Sequence, residues 1–186
     1  CRLAGLTPSA VVVVATVRAL KNHGGVPKAE LNTENLEALE RGLPNLLQHV
    51  ENITQVFGLP CVVAINAFPT DTPAELQLVE ERCRALGVRV ALSEVWAKGG
   101  AGGEALAQEV IRLCEQPNHF QFAYDTAESI EEKLNDIARK IYHADGAVLT
   151  PAARKQAREL EDLGFGGLPV CMAKTQYSFS DDATLL

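Results

Sequence analysis

Val14-Ala-Thr-Val-Arg-Ala-Leu-Lys-Asn-His-Gly-Gly25 runs directly out of an apolar segment, residues 10–17. Such a run reads as a buried parallel strand. At its carboxyl end the chain presents Arg18, Lys21, Asn22 and His23, then two glycines. In open α/β sheets, ligands sit at that end of the strands. Four side-chain donors beside a backbone without Cβ atoms suit an anionic ligand. The plainer reading is a solvated strand-to-helix turn.

Working outward, Gly24-Gly25-Val26-Pro27 is a breaker cluster. A helical pattern follows over residues 33–57, with Leu36, Leu39, Leu43, Leu46, Leu47, Val50, Ile53 and Phe57 at helical spacing. Asn32 or Thr33 can cap it, Gly58 can end it, and Pro44 predicts a kink or a break. Residues 60–65 read as a second strand. Thr72 and Glu75 form a capping box with Pro73 at the first helical position, opening a helix that Gly87 ends. Residues 88–92 read as a third strand, 93–103 as a loop and 104–115 as a helix. A further short strand is read over 120–124. Ser129 and Glu132 form a second capping box for a helix reaching Tyr142, and residues 147–149 are read as extended. Thr150-Pro151 starts a helix that Gly164 stops, and residues 168–173 read as a last apolar strand. Strands alternating with helices predict an α/β fold of βαβ repeats, a parallel sheet with helices on both faces. Right-handed crossovers then put every carboxyl end on one edge, where polar and aromatic loops make a ligand crevice.

The bulk numbers narrow the classes. A length of 186 residues suits one domain, or one and part of another. The formal net charge of −7 argues against a nucleic-acid partner, because phosphate contacts need a basic footprint. The five cysteines include no C-x-x-C pair; Cys61, Cys83, Cys114 and Cys171 fall inside strand or helical patterns, where a thiol is a small hydrophobe, and the odd, scattered count reads as a reducing compartment. No run approaches membrane-spanning length, so no membrane partner is expected. The histidines show no metal-ligand spacing, and no metal site is expected. His49 and His143 read as exposed helix residues, leaving His23 as a site candidate by position. The chain begins at Cys1 and its only methionine is Met172, so it is read as an internal fragment.

Four strings carry a resemblance. VATVRALKNHGG, Asn66-Ala-Phe-Pro-Thr-Asp-Thr72, Ala91-Leu-Ser-Glu-Val-Trp-Ala-Lys-Gly-Gly100 and Leu168-Pro-Val-Cys-Met-Ala-Lys-Thr-Gln-Tyr-Ser178 occur in the order seen in formate–tetrahydrofolate ligases. The similarity covers essentially all of the chain. The resemblance implies a fragment of a P-loop NTPase-like superfamily enzyme. Residues 1–25 would end its nucleotide-binding domain, and 26–186 would form an α/β domain carrying the folate-side loops. It implies an ATP-dependent ligase that phosphorylates formate and passes the formyl group to N10 of tetrahydrofolate. The products would be 10-formyltetrahydrofolate, ADP and phosphate. ATP with Mg2+, tetrahydrofolate as substrate and a monovalent cation are implied, as are a homotetramer and a cytoplasmic location. The ring-binding residues would be Phe68, Pro69, Leu92 and Trp96. The nucleophile would be the folate nitrogen, so no catalytic residue is expected here. The family's ATP phosphate loop lies upstream of these strings, and no G-x-x-x-x-G-K-[ST] is present. The fragment alone is therefore expected to be inactive.

Each string also has an ordinary reading. Phe68-Pro69 can simply cover the sheet edge instead of forming a flat wall for a heterocycle. Thr70, Asp71 and Thr72 read as turn and cap residues. Trp96 can be core, though its place beyond a strand favours a stacking surface. Lys98-Gly-Gly-Ala-Gly-Gly103 precedes a helix whose amides could hold an anion. Its G-x-G-x-x-A pattern is rejected as a dinucleotide fingerprint, because Gly100 falls eight residues past Leu92 and not in a tight turn after the strand; a mobile loop at the site mouth is expected instead. Arg18, Lys21, Lys98, Gly99 and Gly100 are the candidates for anion or nucleotide contacts. Lys174, Thr175 and Tyr177 read as a solvated turn, and Asp181-Asp182 as a solvated pair. The rival class is a non-catalytic α/β binding or assembly module, with no folate affinity.

Overall fold

The computed structural model describes residues 2–173 with 179 and 180. Lys174, Thr175, Tyr177 and Asp181-Asp182 lie outside the described residues. Three parallel strands, β1 (Val11–Ala15), β2 (Cys61–Asn66) and β3 (Arg89–Ser93), form one sheet in the order β1-β2-β3. Val11 pairs with Cys61 through to Ala15 with Ile65, and Val62 with Arg89 through to Asn66 with Ser93. The three carboxyl ends therefore lie side by side.

Helices cover both faces, as an α/β fold requires. Alternation sends Cys61, Val63 and Ile65 to one face and Val62 to the other. The first face packs on α1 (Val17–His23), α2 (Leu36–Glu51) and α3 (Pro73–Ala85), through Val17, Leu20, Leu39, Leu43, Val50, Val79 and Cys83. The second meets α5 (Glu104–Cys114) through Val62, Ala91 and Leu113. A short helix, α4 (Val95–Lys98), precedes α5, and α6 (Ile130–Lys140) and α7 (Pro151–Asp162) follow it.

Local signals set the helix starts. Thr72, Ser129 and Thr150 each accept a hydrogen bond from the third helical N–H, and Thr72 and Ser129 close full capping boxes with Glu75 and Glu132. Gly87 and Gly164 follow helix ends with φ of +75° and +87°, where a side chain is disfavoured. Several expectations are corrected. The first strand stops at Ala15, because Thr16 caps α1 and its hydroxyl accepts from the Ala19 N–H. Arg18, Lys21, Asn22 and His23, expected at the end of the strand, thus lie on a helix. The helix α2 continues through Pro44, which removes a single N–H while Ala38, Leu39, Gly42, Leu43, Leu46 and Val50 hold the buried side. It then passes into a π turn, Asn52–Val56.

Residues 120–124 and 168–173 are not strands, and 147–149 pair with no strand either. The first segment meets the end of the π turn, where His119 N–H donates to Gly58 O at 3.0 Å and Gln121 N–H to Phe57 O at 3.1 Å. Nothing there extends into a ladder. The last segment is fixed by side chains. The Tyr124 hydroxyl accepts from the Val170 N–H at 2.9 Å and donates to the Val170 carbonyl at 3.1 Å. The buried Lys133 ammonium donates to the Gly166 and Leu168 carbonyls. Ala147 is held by Asn135.

Two glycines let α1 and α2 touch backbone to backbone. A Cβ on Gly42 would lie 1.9 Å from the Leu20 carbonyl oxygen, and one on Gly24 would lie 1.8 Å from that of Ala38. Gly42→Ala is expected to cost about 1–3 kcal/mol, as overpacking does. A urea titration checks this; an unchanged midpoint would mean that the two helices part freely.

Burial also sorts the thiols. It pushes Cys61 and Cys83 up to about 11, Cys83 also feeling its neighbour Cys61. Cys114 and Cys171 are exposed. At pH ~8, Ellman's reagent is expected to modify Cys114 and Cys171 quickly and Cys61 and Cys83 only after unfolding, because the thiolate is the reactive form. Peptide mapping of the labelled protein reads this directly.

Candidate ligand site at the strand ends

The end of β2 leads into a loop held from several sides. Ala67 N–H donates to the Ser93 carbonyl at 3.0 Å, which ties this loop to the end of β3. One residue on, Phe68 N–H donates to Asp71 Oδ2 at 2.9 Å, and Asp71 N–H returns to the Phe68 carbonyl at 3.0 Å. This closed turn displays Phe68, Pro69 and Thr70, all exposed, before Thr72 caps α3.

The end of β3 supplies the second aromatic. Trp96 on α4 is 63% exposed, so it is not core. Its Nε1–H donates to the Ala67 carbonyl at 2.8 Å. The indole is thereby fixed to the residue that precedes Phe68. Leu92 and Val95 are exposed on the same rim. The segment expected to be a loop is organised as α4 followed by a 3₁₀ turn, Gly99–Gly103. It closes on itself through Glu94 N–H to the Gly102 carbonyl at 3.0 Å. A Cβ on Gly102 would stand 2.5 Å from the Glu94 oxygen, so a side chain cannot enter there. Gly99 has φ +60°, and both Gly99 and Gly100 face open space. The Lys98 ammonium is paired with Glu94 at 2.6 Å.

Among the four donors at the end of β1, one correction is decisive. Lys21 is fully buried, and its ammonium donates to Glu75 Oε1 at 2.8 Å and to the Thr33 carbonyl at 2.9 Å. It is enclosed by α3 and the start of α2 and does not reach the rim as an anion donor. Asn22 turns back to the Val26 carbonyl at 2.9 Å. His23 lines a groove of about 360 Å³ between the open side of β1 and α2, with Val14, Thr16, Asn45 and His49. His49 is an exposed residue of α2, as expected, and partial desolvation of its ring lowers its pKa. Arg18 remains beside the site, with its guanidinium carbon 5.3 Å from the Phe68 ring centroid.

Glu75 joins these parts. Besides Lys21, its Oε1 accepts from Asn35 N–H at 3.1 Å, and its Oε2 accepts from Thr72 N–H at 3.1 Å. One carboxylate thus links α1, the start of α2 and the cap of α3. Burial opposes its charge, but Lys21 and the two N–H groups outweigh it and hold its pKa below the usual glutamate value. Asp71 moves the other way. Burial raises it despite the Phe68 N–H, and its Oδ1 is enclosed without a partner among the described residues.

Sequence reading placed Phe68, Pro69, Leu92 and Trp96 on one rim; the structure ties Trp96 to Ala67, the residue before Phe68-Pro69, and places Leu92 next to last in β3. It missed Glu75 as a counter-ion, Ala67 as the acceptor for the indole, and Asp71 as the clasp of the turn. The capping box was the only local sign of the first, and it concealed the longer-range role. Among the described residues no group of three or more His, Cys, Asp or Glu side chains is placed to hold a metal ion, and no Mg2+-dependent step is assigned to them. None of their helices is long and apolar enough to cross a membrane.

A three-stranded parallel sheet with helices on both faces defines an α/β protein. The family model described as formate–tetrahydrofolate ligase matches residues 1–186. The chain belongs to the formate–tetrahydrofolate ligase family, a family of ligases of one-carbon folate metabolism.

Proposed function

We propose that this chain carries the tetrahydrofolate side of an ATP-dependent ligase that makes 10-formyltetrahydrofolate, ADP and phosphate by way of formyl phosphate. The observation that carries this reading is the half-open indole of Trp96 tied to Ala67, next to Phe68-Pro69. A flat heterocycle lying on such a rim gains apolar and stacking contact without moving the side chains that receive it. Phe68, Pro69, Leu92 and Trp96 take the pterin. Lys98, Gly99 and Gly100 are the nearby groups for anionic parts of the ligands, with Lys98 leaving Glu94 to do so.

The reading extends to the whole enzyme. Formate, ATP with Mg2+ and a monovalent cation are its other ligands, and it is a cytoplasmic homotetramer. Its sheet belongs to the P-loop NTPase-like superfamily, with the nucleotide-binding domain ending near residue 25. The residues here include no phosphate loop, so this chain alone should release no ADP in a formate-dependent manner.

Tetrahydrofolate titration tests the reading, because Trp96 is the sole tryptophan. Saturable quenching in the wild type, weakened in Phe68→Ala, is the expected result. No change in emission and no heat of binding would favour the rival module whose rim loops meet a protein partner.

A further inference from the structure

We infer that Arg18 is a positioning residue for Phe68: its guanidinium covers one face of the phenyl ring and leaves the opposite face for a planar ligand. This inference rests on the reading of the rim as the pterin site.

Three observations converge on it. The guanidinium carbon lies over the ring, 5.3 Å from its centroid, inside the range of cation–π attraction. The helix that carries Arg18 is anchored one turn later. Lys21, three residues on and on the same side of α1, is locked to Glu75 in the interior. Glu75 also holds the N–H of Thr72, where the Phe68 loop enters α3. Arg18 and the loop it touches are thus fixed to one buried carboxylate. Finally, Asp71 holds the Phe68 N–H and is attracted by the Arg18 charge. The ring is held by stacking and its backbone by a hydrogen bond. An arginine suits this task better than a lysine, because its flat fork stacks where an ammonium cannot.

A double-mutant cycle on the chain separates positioning from direct contact with an anion. Two probes are used: tetrahydrofolate, and 6-methyltetrahydropterin, which lacks the anionic tail. Arg18→Met is expected to raise Kd for both probes by the same factor, about two- to fivefold, with Arg18→Lys restoring little. In a Phe68→Ala background, Arg18→Met should change neither Kd further. Circular dichroism confirms that each variant is folded. An effect on tetrahydrofolate alone, an undiminished effect in the Phe68→Ala background, or no effect on either probe would overturn the inference. A ligand-free readout stands apart from the site reading. The Arg18 Nε–H resonance should be shifted by the Phe68 ring and move back in Phe68→Ala. If neither probe binds the wild type, the pterin reading fails; an unchanged Nε–H resonance sinks the stacking itself.

Discussion

Glu75→Ala is expected to lower the stability of the chain by about 3–5 kcal/mol, the usual cost of stranding one member of a buried ion pair. The Lys21 and Glu75 side chains are both fully enclosed. Removing the carboxylate leaves an ammonium with only the Thr33 carbonyl for company, and strips the Asn35 and Thr72 N–H groups of their acceptor. Urea unfolding followed by circular dichroism measures the loss. Lys21→Met combined with Glu75→Leu should recover a large part of it, since well-packed apolar pairs often replace buried ion pairs at little cost. A double variant no better than the single would mean that the two N–H contacts, and not charge pairing, dominate.

The same carboxylate sets a pH dependence. Its pKa lies below the ordinary 4.5 in the folded chain. The stability it supplies is therefore complete above ~4.5 and lost as pH falls through the lowered value. Asp71 runs oppositely, because its raised pKa weakens the fold at neutral pH and that penalty disappears on acidification. Glu75→Gln should accordingly flatten the acid limb of the stability curve, and Asp71→Asn should steepen it.

Trp96→Ala is the second large effect. Stacking of a heteroaromatic ring on an aromatic side chain is worth about 1–3 kcal/mol. Loss of the indole should raise the tetrahydrofolate Kd by about 5- to 150-fold, measured by calorimetry because the fluorophore is gone. Stability should hardly change, since the side chain is 63% exposed. Trp96→Phe should fall between wild type and alanine, because it keeps a ring face and loses the Nε1–H bond to Ala67. A wild-type Kd in both variants would remove the indole from the site.

What could be read from sequence was local. Thr72 with Glu75, Ser129 with Glu132, and Thr150 with Pro151 marked helix starts because capping is settled within four residues. The three paired strands were visible as apolar runs. Residues 120–124 and 168–173 look the same by composition, yet the link between them is a tyrosine hydroxyl reaching 46 residues along the chain. No periodicity encodes that. Lys21 was misplaced for a similar reason. A lysine beside glycines suggests solvent, and its partner lies 54 residues away. Gly24 and Gly42 behave likewise, since a breaker and a helix-packing glycine are the same letter. The rim was legible because strand ends are fixed by topology, so the loops after β2 and β3 had to meet.

The most direct measurement is an NMR or crystallographic view of this chain with tetrahydrofolate bound. Pterin protons or atoms should lie in van der Waals contact with both the Trp96 indole and the Phe68 ring. A pterin bound elsewhere, with the Trp96 and Phe68 resonances or positions unaltered from the free protein, would contradict this.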